Sequence, residues 1–370
     1  RAVAWSFTNT GADVNDFYRE IVDDRGSPTR YQLDGDWRPL EQRIERYLGR
    51  EGELLAVDTI RFTHRGPLLK VDSTWLSMAW TVYQPHSDGS EFLAANRARM
   101  VGEFLEAMAS YVVPAQNMLV ADRRGTIAIR STGAYPIRPG SGRGDLVQDG
   151  STKSADWTGV LPLEQYPFAL NPSRGFLSSA NQQPVDPQVN GRYLGADWYA
   201  PWRAVRINEL LRRDSAVTVE AIRRYQTDNL SAAAVAFLPY LLQTPADSAS
   251  PNPDAARART LLRAWDGRYD LDRQGAVLFD AVMVELRRLV WDELQRPLDR
   301  RGLRPSDAQL LGLFVDSTSV WWDVTATPAR ETPASVVSSA LTAGLDSVVA
   351  RHGPPGPAWA WSNVHRANIH

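Results

Sequence analysis

The apolar residues of this chain change their period along its length, and that change constrains the fold more than any single motif does. Residues 1 to about 90 carry strand spacing. Leu54 to Leu69 alternates, with Val57, Ile60 and Phe62 apolar and Asp58, Arg61 and Thr63 polar between them, until Arg65-Gly66-Pro67 breaks the run. A second strand is expected from Trp75 to Tyr83, with turns at Asp34-Gly35 and Ser87-Asp88-Gly89. Residues 91 to 111 switch to helical spacing, with Phe92, Ala95, Val101, Phe104, Leu105 and Met108 on one side. Short strands return from Asn117 to Arg138 around a hairpin at Arg124-Gly125. An exposed loop is expected over 139–153 and a further strand over Gly175–Ala180. Helical spacing then holds from Tyr199 to Leu242, with Ile207, Leu210 and Leu211 as an apolar stripe. After a linker at 248–254 it resumes over 255–296, 306–313 and 334–350. Strands first and a helical block last predict an α+β chain, and no internal repeat interrupts the order.

Composition removes several function classes. With 370 residues the chain is long enough for two or three cores. A net charge of −2 argues against nucleic acid as a partner, and no uninterrupted apolar run approaches the ~18 residues of a membrane span, so no membrane insertion is expected. Cys is absent, which excludes disulfides, thiolate metal sites and a cysteine nucleophile. Thirteen Trp give ample apolar surface for pockets and interfaces. Arg1 leads directly into the strand-like AVAWSFT, and Ile369 and His370 follow closely on Trp359 and Trp361. These ends suggest a processed or partial chain.

Common hydrolase signatures are missing: there is no HExxH and no GxSxG elbow. Gly140-Ser141-Gly142-Arg143-Gly144 lacks the Lys-Ser/Thr of a phosphate loop and reads as a surface loop. Among five His, His64 is the best candidate for a triad, although a satisfied structural histidine is the simpler reading. Two segments hold more polar residues than their surroundings need. In the stretch from Trp5 to Asp16 a strand runs into Asp13 and Asp16, whose carboxylates with backbone carbonyls suit a hard cation, or else form a solvated turn. From Asn171 to Pro184 an amide-rich cluster follows an apolar strand, placed either to donate to a developing oxyanion or simply to close a turn.

These segments, with others in a fixed order, resemble the penicillin acylase family of N-terminal nucleophile hydrolases. The matching stretches are WSFTNTGADVNDFYRE (5–20), QNMLVADRRGTIAIRSTGAYPIR (116–138), WTGVLP (157–162), NPSRGFLSSANQQP (171–184), YLGADW and PWRAVRINELL (193–211), LLRAWDGRYD (261–270) and the closing Trp-rich run. The resemblance implies a four-layer αββα core, incomplete at both ends. Residues 1–12 would be a core strand, 13–90 an inserted small β subdomain, 91–215 the core, 216–355 an inserted helical subdomain and 356–370 a return to the core.

The resemblance also implies a chemistry. A precursor is cut into a small α and a large β subunit, and the β amino-terminal Ser attacks a linear amide with its own α-amine as base, so no catalytic His or Cys is required. Asn9 would offer a backbone N–H to the oxyanion, Asn181 a side-chain amide, and Arg203 would support Asn181 and the nucleophile. Phe92 and Gln116 would line the acyl pocket. Asp13 and Asp16, with the carbonyls of Asn15 and Gly144, would bind structural calcium, although Asn190, Gly191 and Arg192 stand where a further carboxylate belongs. Arg1 cannot be the nucleophile, whose Ser is expected several tens of residues before Trp5. The chain is thus expected to be an active member seen without its first strands, in the periplasm or outside a bacterial cell, partnered by the α subunit. Its expected substrates are hydrophobic N-acyl amides: penicillins in antibiotic-related metabolism, cephalosporins or acyl-homoserine lactones. A non-catalytic binding protein on the same fold is the alternative from another class.

Overall fold

The computed structural model describes residues 2–84, 89–140, 142–186, 193–243, 253–295 and 305–366. The chain divides into two compact units, Arg1–Pro201 and Trp202–His370.

In the first unit the strands are β1 (Val3–Asn9), β2 (Asn15–Arg19), β3 (Arg30–Leu33), β4 (Asp36–Pro39), β5 (Glu41–Leu48), β6 (Leu54–Phe62) and β7 (Leu68–Val71). They continue with β8 (Thr74–Trp80), β9 (Gln116–Asp122), β10 (Ile127–Thr132), β11 (Pro136–Ile137), β12 (Gln148–Asp149), β13 (Gly159–Val160) and β14 (Phe168–Leu170). An antiparallel sheet of order β1-β9-β10-β14 places β1 at its edge. Alternation on these strands turns Val3, Trp5, Met118, Val120 and Ala128 to one face. There they pack against Ala95, Phe104, Met108 and Tyr111 from and beside two helices, α1 (Ser90–Arg97) and α2 (Val101–Ala107). The expected single helix over 91–111 is therefore two. The break is held by Asp122, whose carboxylate accepts the Val101 N–H at 3.1 Å and the N–H groups of Arg124 and Thr126 in the β9–β10 turn.

The small β region forms a second sheet of order β12-β2-β8-β7 and two hairpins, β3–β4 and β5–β6. Asp34 and Gly35 take positive φ at the β3–β4 turn, as Gly125 does at the β9–β10 turn. Ser87 and Asp88 of the other expected turn lie outside the described residues. The strand expected over Gly175–Ala180 is not a strand. That stretch joins no ladder, and β14 takes the position beside β10 instead.

The second unit is helical: α3 (Trp202–Arg213), α4 (Val219–Gln226), α5 (Ala232–Gln243), α6 (Pro253–Arg263), α7 (Gly275–Val290), α8 (Asp307–Leu313), α9 (Pro333–His352) and α10 (Trp361–Val364). Of the expected linker 248–254, only Pro253 and Asp254 are described, and they open α6. Central to the core is the pair α7 and α9, brought close at Gly344, where a Cβ would stand 2.7 Å from Val282 Cγ2. Helix α9 is bounded by a Thr332–Ser335 capping box, Pro333 at its first position and Gly353 at φ 76°. By length and composition alone, α9 is apolar enough to cross a membrane. However, Val336, Val337, Leu341, Leu345 and Val348 are buried in the unit's own core.

Residues 202–215 and 356–366 make their contacts within this helical unit. Within 202–215, the Trp202 ring meets Phe237 edge-on at 6.0 Å and Arg206 pairs with Asp228 at 2.8 Å. Within 356–370, Trp359 is buried in the same helical cluster and Trp361 meets Tyr269 edge-on at 4.7 Å. The division between the compact units falls at 201/202.

Candidate functional site

Asn9 closes β1 opposite Gln116. The next pair outward is hydrogen-bonded, Thr10 N–H donating to Ala115 C=O at 3.3 Å. In an antiparallel ladder such pairs alternate, so Asn9 lies at a non-bonded position and turns both its N–H and its C=O toward the open edge of the sheet. At that edge the Asn181 side-chain amide donates to the Asn9 carbonyl at 2.8 Å. The two residues expected to face an oxyanion, 172 positions apart in sequence, thus share one locus. Asn181 has φ 65°, a left-handed conformation that Asn tolerates better than most residues. Its neighbourhood is braced by the Ala180 N–H, which donates to Gln182 Oε1 at 2.7 Å, and by Thr8 Oγ1 and Ser179 Oγ, 2.6 Å apart.

Gln116 is 4% exposed and donates from Nε2 to Asn9 Oδ1 at 2.9 Å, so it holds the Asn9 side chain in place. Its Oε1 is buried with no partner. Phe92 lies half-buried on α1, with Trp5 at 6.0 Å and Tyr111 edge-on at 5.6 Å, packed against the core cluster under the sheet. Arg203 is exposed in the first turn of α3, in the second unit.

Asp13, Asp16 and Gly144 do come together, but around an arginine. Asp16 is 1% exposed on β2. Arg138 Nε donates to its Oδ2 at 2.9 Å, Arg138 Nη2 to its Oδ1 at 2.9 Å, and the Trp157 indole to Oδ2 at 2.6 Å. Arg138 Nη2 also donates to the Asp13 carbonyl at 2.8 Å, and the Tyr193 hydroxyl to Asp13 Oδ2 at 2.7 Å. Burial pushes the Asp13 carboxyl above its ordinary value. Tyr193 and Arg138 oppose that shift, and the charges of Asp16 and Asp145 add to it. Gly144 packs so closely that a Cβ there would collide with both carboxylates and with the guanidinium.

Hard oxygens of this kind suit calcium, but here they are already committed to a guanidinium, an indole and a phenol. Among the described residues no group of three or more acidic or histidine side chains is set to hold a metal. Asn15 opens β2 opposite Trp80. Positions 190–192 lie outside the described residues. The side chains as arranged do not fit a calcium cage.

His64 has both ring nitrogens engaged, Nδ1 with Tyr31 Oη at 3.0 Å and Nε2 with Asp156 Oδ2 at 2.9 Å. Arg65 beside it bonds Asp156 Oδ1 at 2.6 Å and the buried Glu20 at 2.9 Å, so the cluster ties β2 and the loop before β7 to the 150–156 segment. Arg138, Tyr193, Trp157, Thr8 and Ser179 were not singled out by sequence. Each lies inside or beside a stretch quoted above, yet its partner is 122 to 180 positions distant, beyond the reach of any local spacing rule.

The family profile for penicillin amidase matches residues 1–370. Acyl-homoserine lactone acylase QuiP of Pseudomonas syringae is 28% identical over 99% of this chain and 47% of its own length. Penicillin acylase 2 proenzyme of Pseudomonas sp. strain SE83 is 26% identical over 87% of this chain and 41% of its own length. Among solved structures, a thermostable penicillin G acylase from Alcaligenes faecalis superposes with a TM-score of 0.75 at 22% identity, covering 95% of this chain and 68% of that one, a likeness of fold. The chain spans about half the length of the curated relatives it matches most fully. A profile match over its whole length shows that this chain belongs to the penicillin amidase family.

Proposed function

We propose that the protein carrying this chain hydrolyses the amide bond of hydrophobic N-acyl compounds through an acyl-enzyme, and that this chain supplies the oxyanion-stabilising groups. The observation that carries the proposal is the meeting of Asn181 with Asn9 at the open edge of β1, where the backbone N–H of Asn9 and the Asn181 amide turn to one locus. As a nucleophile adds to an amide carbonyl, negative charge develops on its oxygen, and preorganised donors are worth more there than on the ground-state substrate. One N–H of the Asn181 amide is fixed by the Asn9 carbonyl. The planar amide then sets the direction of the second. Each such donor accounts for about 2.7–4 kcal/mol of transition-state stabilisation.

In this reading the nucleophile is an amino-terminal Ser outside these 370 residues, with its α-amine as general base. Its oxygen bonds to the carbonyl carbon, the amine leaves with a proton relayed through the α-amine, and water then releases the acid and restores the Ser. The α subunit of the same precursor is the partner that completes the site, and the location is periplasmic or extracellular. No step of this reading runs through calcium, since Arg138 engages the Asp16 carboxylate.

Among substrates, acyl-homoserine lactones are favoured over penicillins. Relatives named acyl-homoserine lactone acylases align over 98–99% of this chain, against 74–87% for those named penicillin acylases. The test is mass-spectrometric detection of free fatty acid and homoserine lactone after incubation with the full-length protein, beside release of nitroaniline from a phenylacetyl anilide. Turnover is expected from the full-length protein and none from these 370 residues alone. Turnover by the isolated chain, or no product from either substrate with full-length protein, would sink the proposal.

A further inference from the structure

Beneath the Asn9–Asn181 contact a row of polar side chains crosses the sheet. Thr8, Asn117 and Ser131 stand in register on β1, β9 and β10, on the face opposite Trp5 and Met118. Asn117 and Ser131 are each 2% exposed. Ser131 Oγ donates to Asn117 Oδ1 at 2.5 Å, Asn117 Nδ2 donates to Thr8 Oγ1 at 3.4 Å, and Thr8 Oγ1 lies 2.6 Å from Ser179 Oγ.

A primary amide nitrogen only donates, so the Thr8 oxygen accepts from Asn117, while between the Thr8 and Ser179 hydroxyls either one can donate. The row ends on the segment that carries Asn181, which belongs to no ladder and whose Asn181 is in a left-handed conformation. Two successive residues of β1 hold that segment: Thr8 through Ser179, and Asn9 through Asn181. A single hydrogen bond fixes a point and leaves rotation about it, whereas two fix an orientation.

We propose that Asn117, Thr8 and Ser179 are positioning residues that set the direction of the Asn181 amide, with Ser179 as the element that transmits the sheet's register to it. The proposal rests on the acyl-transfer reading above for its catalytic consequence but not for its geometry. Ser179 is half-buried, so its alanine variant is expected to fold.

In the full-length protein, Ser179→Ala is expected to lower kcat on a phenylacetyl anilide by about ten- to a hundredfold, the scale of a misplaced catalytic group, with KM and Tm little changed. Ser179→Thr, which keeps the hydroxyl, is expected to restore most of kcat. An unchanged kcat in Ser179→Ala would overturn the proposal, as would a fall in kcat and Tm together that Thr does not rescue. A crystal structure of Ser179→Ala gives an answer independent of turnover. The Asn181 Nδ2 to Asn9 O contact is expected to open, and its persistence at hydrogen-bond distance would refute the positioning role. If wild-type protein shows no turnover, the acyl-transfer reading fails and this geometric arm still decides.

Discussion

Replacing Arg138 by Met removes the only side chain whose positive charge meets Asp16 among the described residues, while keeping most of the buried volume. The Arg138 side chain is 4% exposed and that of Asp16 1%, so neither is screened by water. The substitution takes away three hydrogen-bond contacts to the carboxylate and one to the Asp13 carbonyl, leaving Asp16 the Trp157 indole alone. Breaking a buried pair from one side costs about 3–5 kcal/mol, against about 0–1 kcal/mol for an exposed one. For a protein with 5–15 kcal/mol of total stability that is a large fraction. Urea unfolding at pH 7, followed by tryptophan fluorescence, is expected to show a midpoint lowered by about 2 M for an m-value near 2 kcal/mol/M.

The double variant Arg138→Met with Asp16→Asn is expected to recover much of the loss, since a neutral amide needs no counter-charge, giving a coupling energy well above the few tenths expected of independent sites. Calcium and EDTA are both expected to leave the wild-type midpoint where it is. A loss below about 1 kcal/mol would refute the assignment of Arg138 as the charge that balances this pocket. So would wild-type stabilisation that grows logarithmically with calcium, the signature of a site that binds the folded state.

Glu20 is buried against Ser77 and Arg65, and burial lifts its carboxyl above the ordinary 4.5 despite both partners. A raised folded value means that its contribution is fully present below 4.5 and is lost as pH rises through the folded value. Wild type is therefore expected to lose stability relative to Glu20→Gln over that window, and parallel curves from pH 4 to 8 would contradict it. Gly344→Leu inserts a side chain where a Cβ alone already stands 2.7 Å from Val282 Cγ2 and 2.9 Å from the Val282 backbone, so α7 and α9 must part. A loss of about 1–3 kcal/mol or more is expected in thermal unfolding, and a neutral result would show that the helices are not in contact there.

Local elements were legible where local rules act. The Arg124-Gly125 turn, the strand through Val57, Ile60 and Phe62 and the helix through Ile207, Leu210 and Leu211 are all set by neighbours within a few positions. What sequence missed depends on distant partners. Helix 91–111 is interrupted by a cap from Asp122, and the FLSSA run at 176–180 joins no ladder and meets β1 through the side chains of Ser179 and the adjoining Asn181. Asp13 and Asp16 read as a cation site because carboxylates at that spacing leave the identity of the cation open, and Arg138 lies 122 residues away. Asn9 and Asn181 were named through a family resemblance, but the reason they meet is a ladder register, with Asn9 at a non-bonded position on an edge strand.

The direct test of that meeting is steady-state kinetics of Asn181→Ala in the full-length protein on an N-acyl-homoserine lactone and on a phenylacetyl anilide. If the amide stabilises the oxyanion, kcat falls by about 10²–10³ on both substrates while KM moves little. If kcat is unchanged and only KM rises, Asn181 binds substrate without favouring the transition state, and the oxyanion assignment at the β1 edge is wrong.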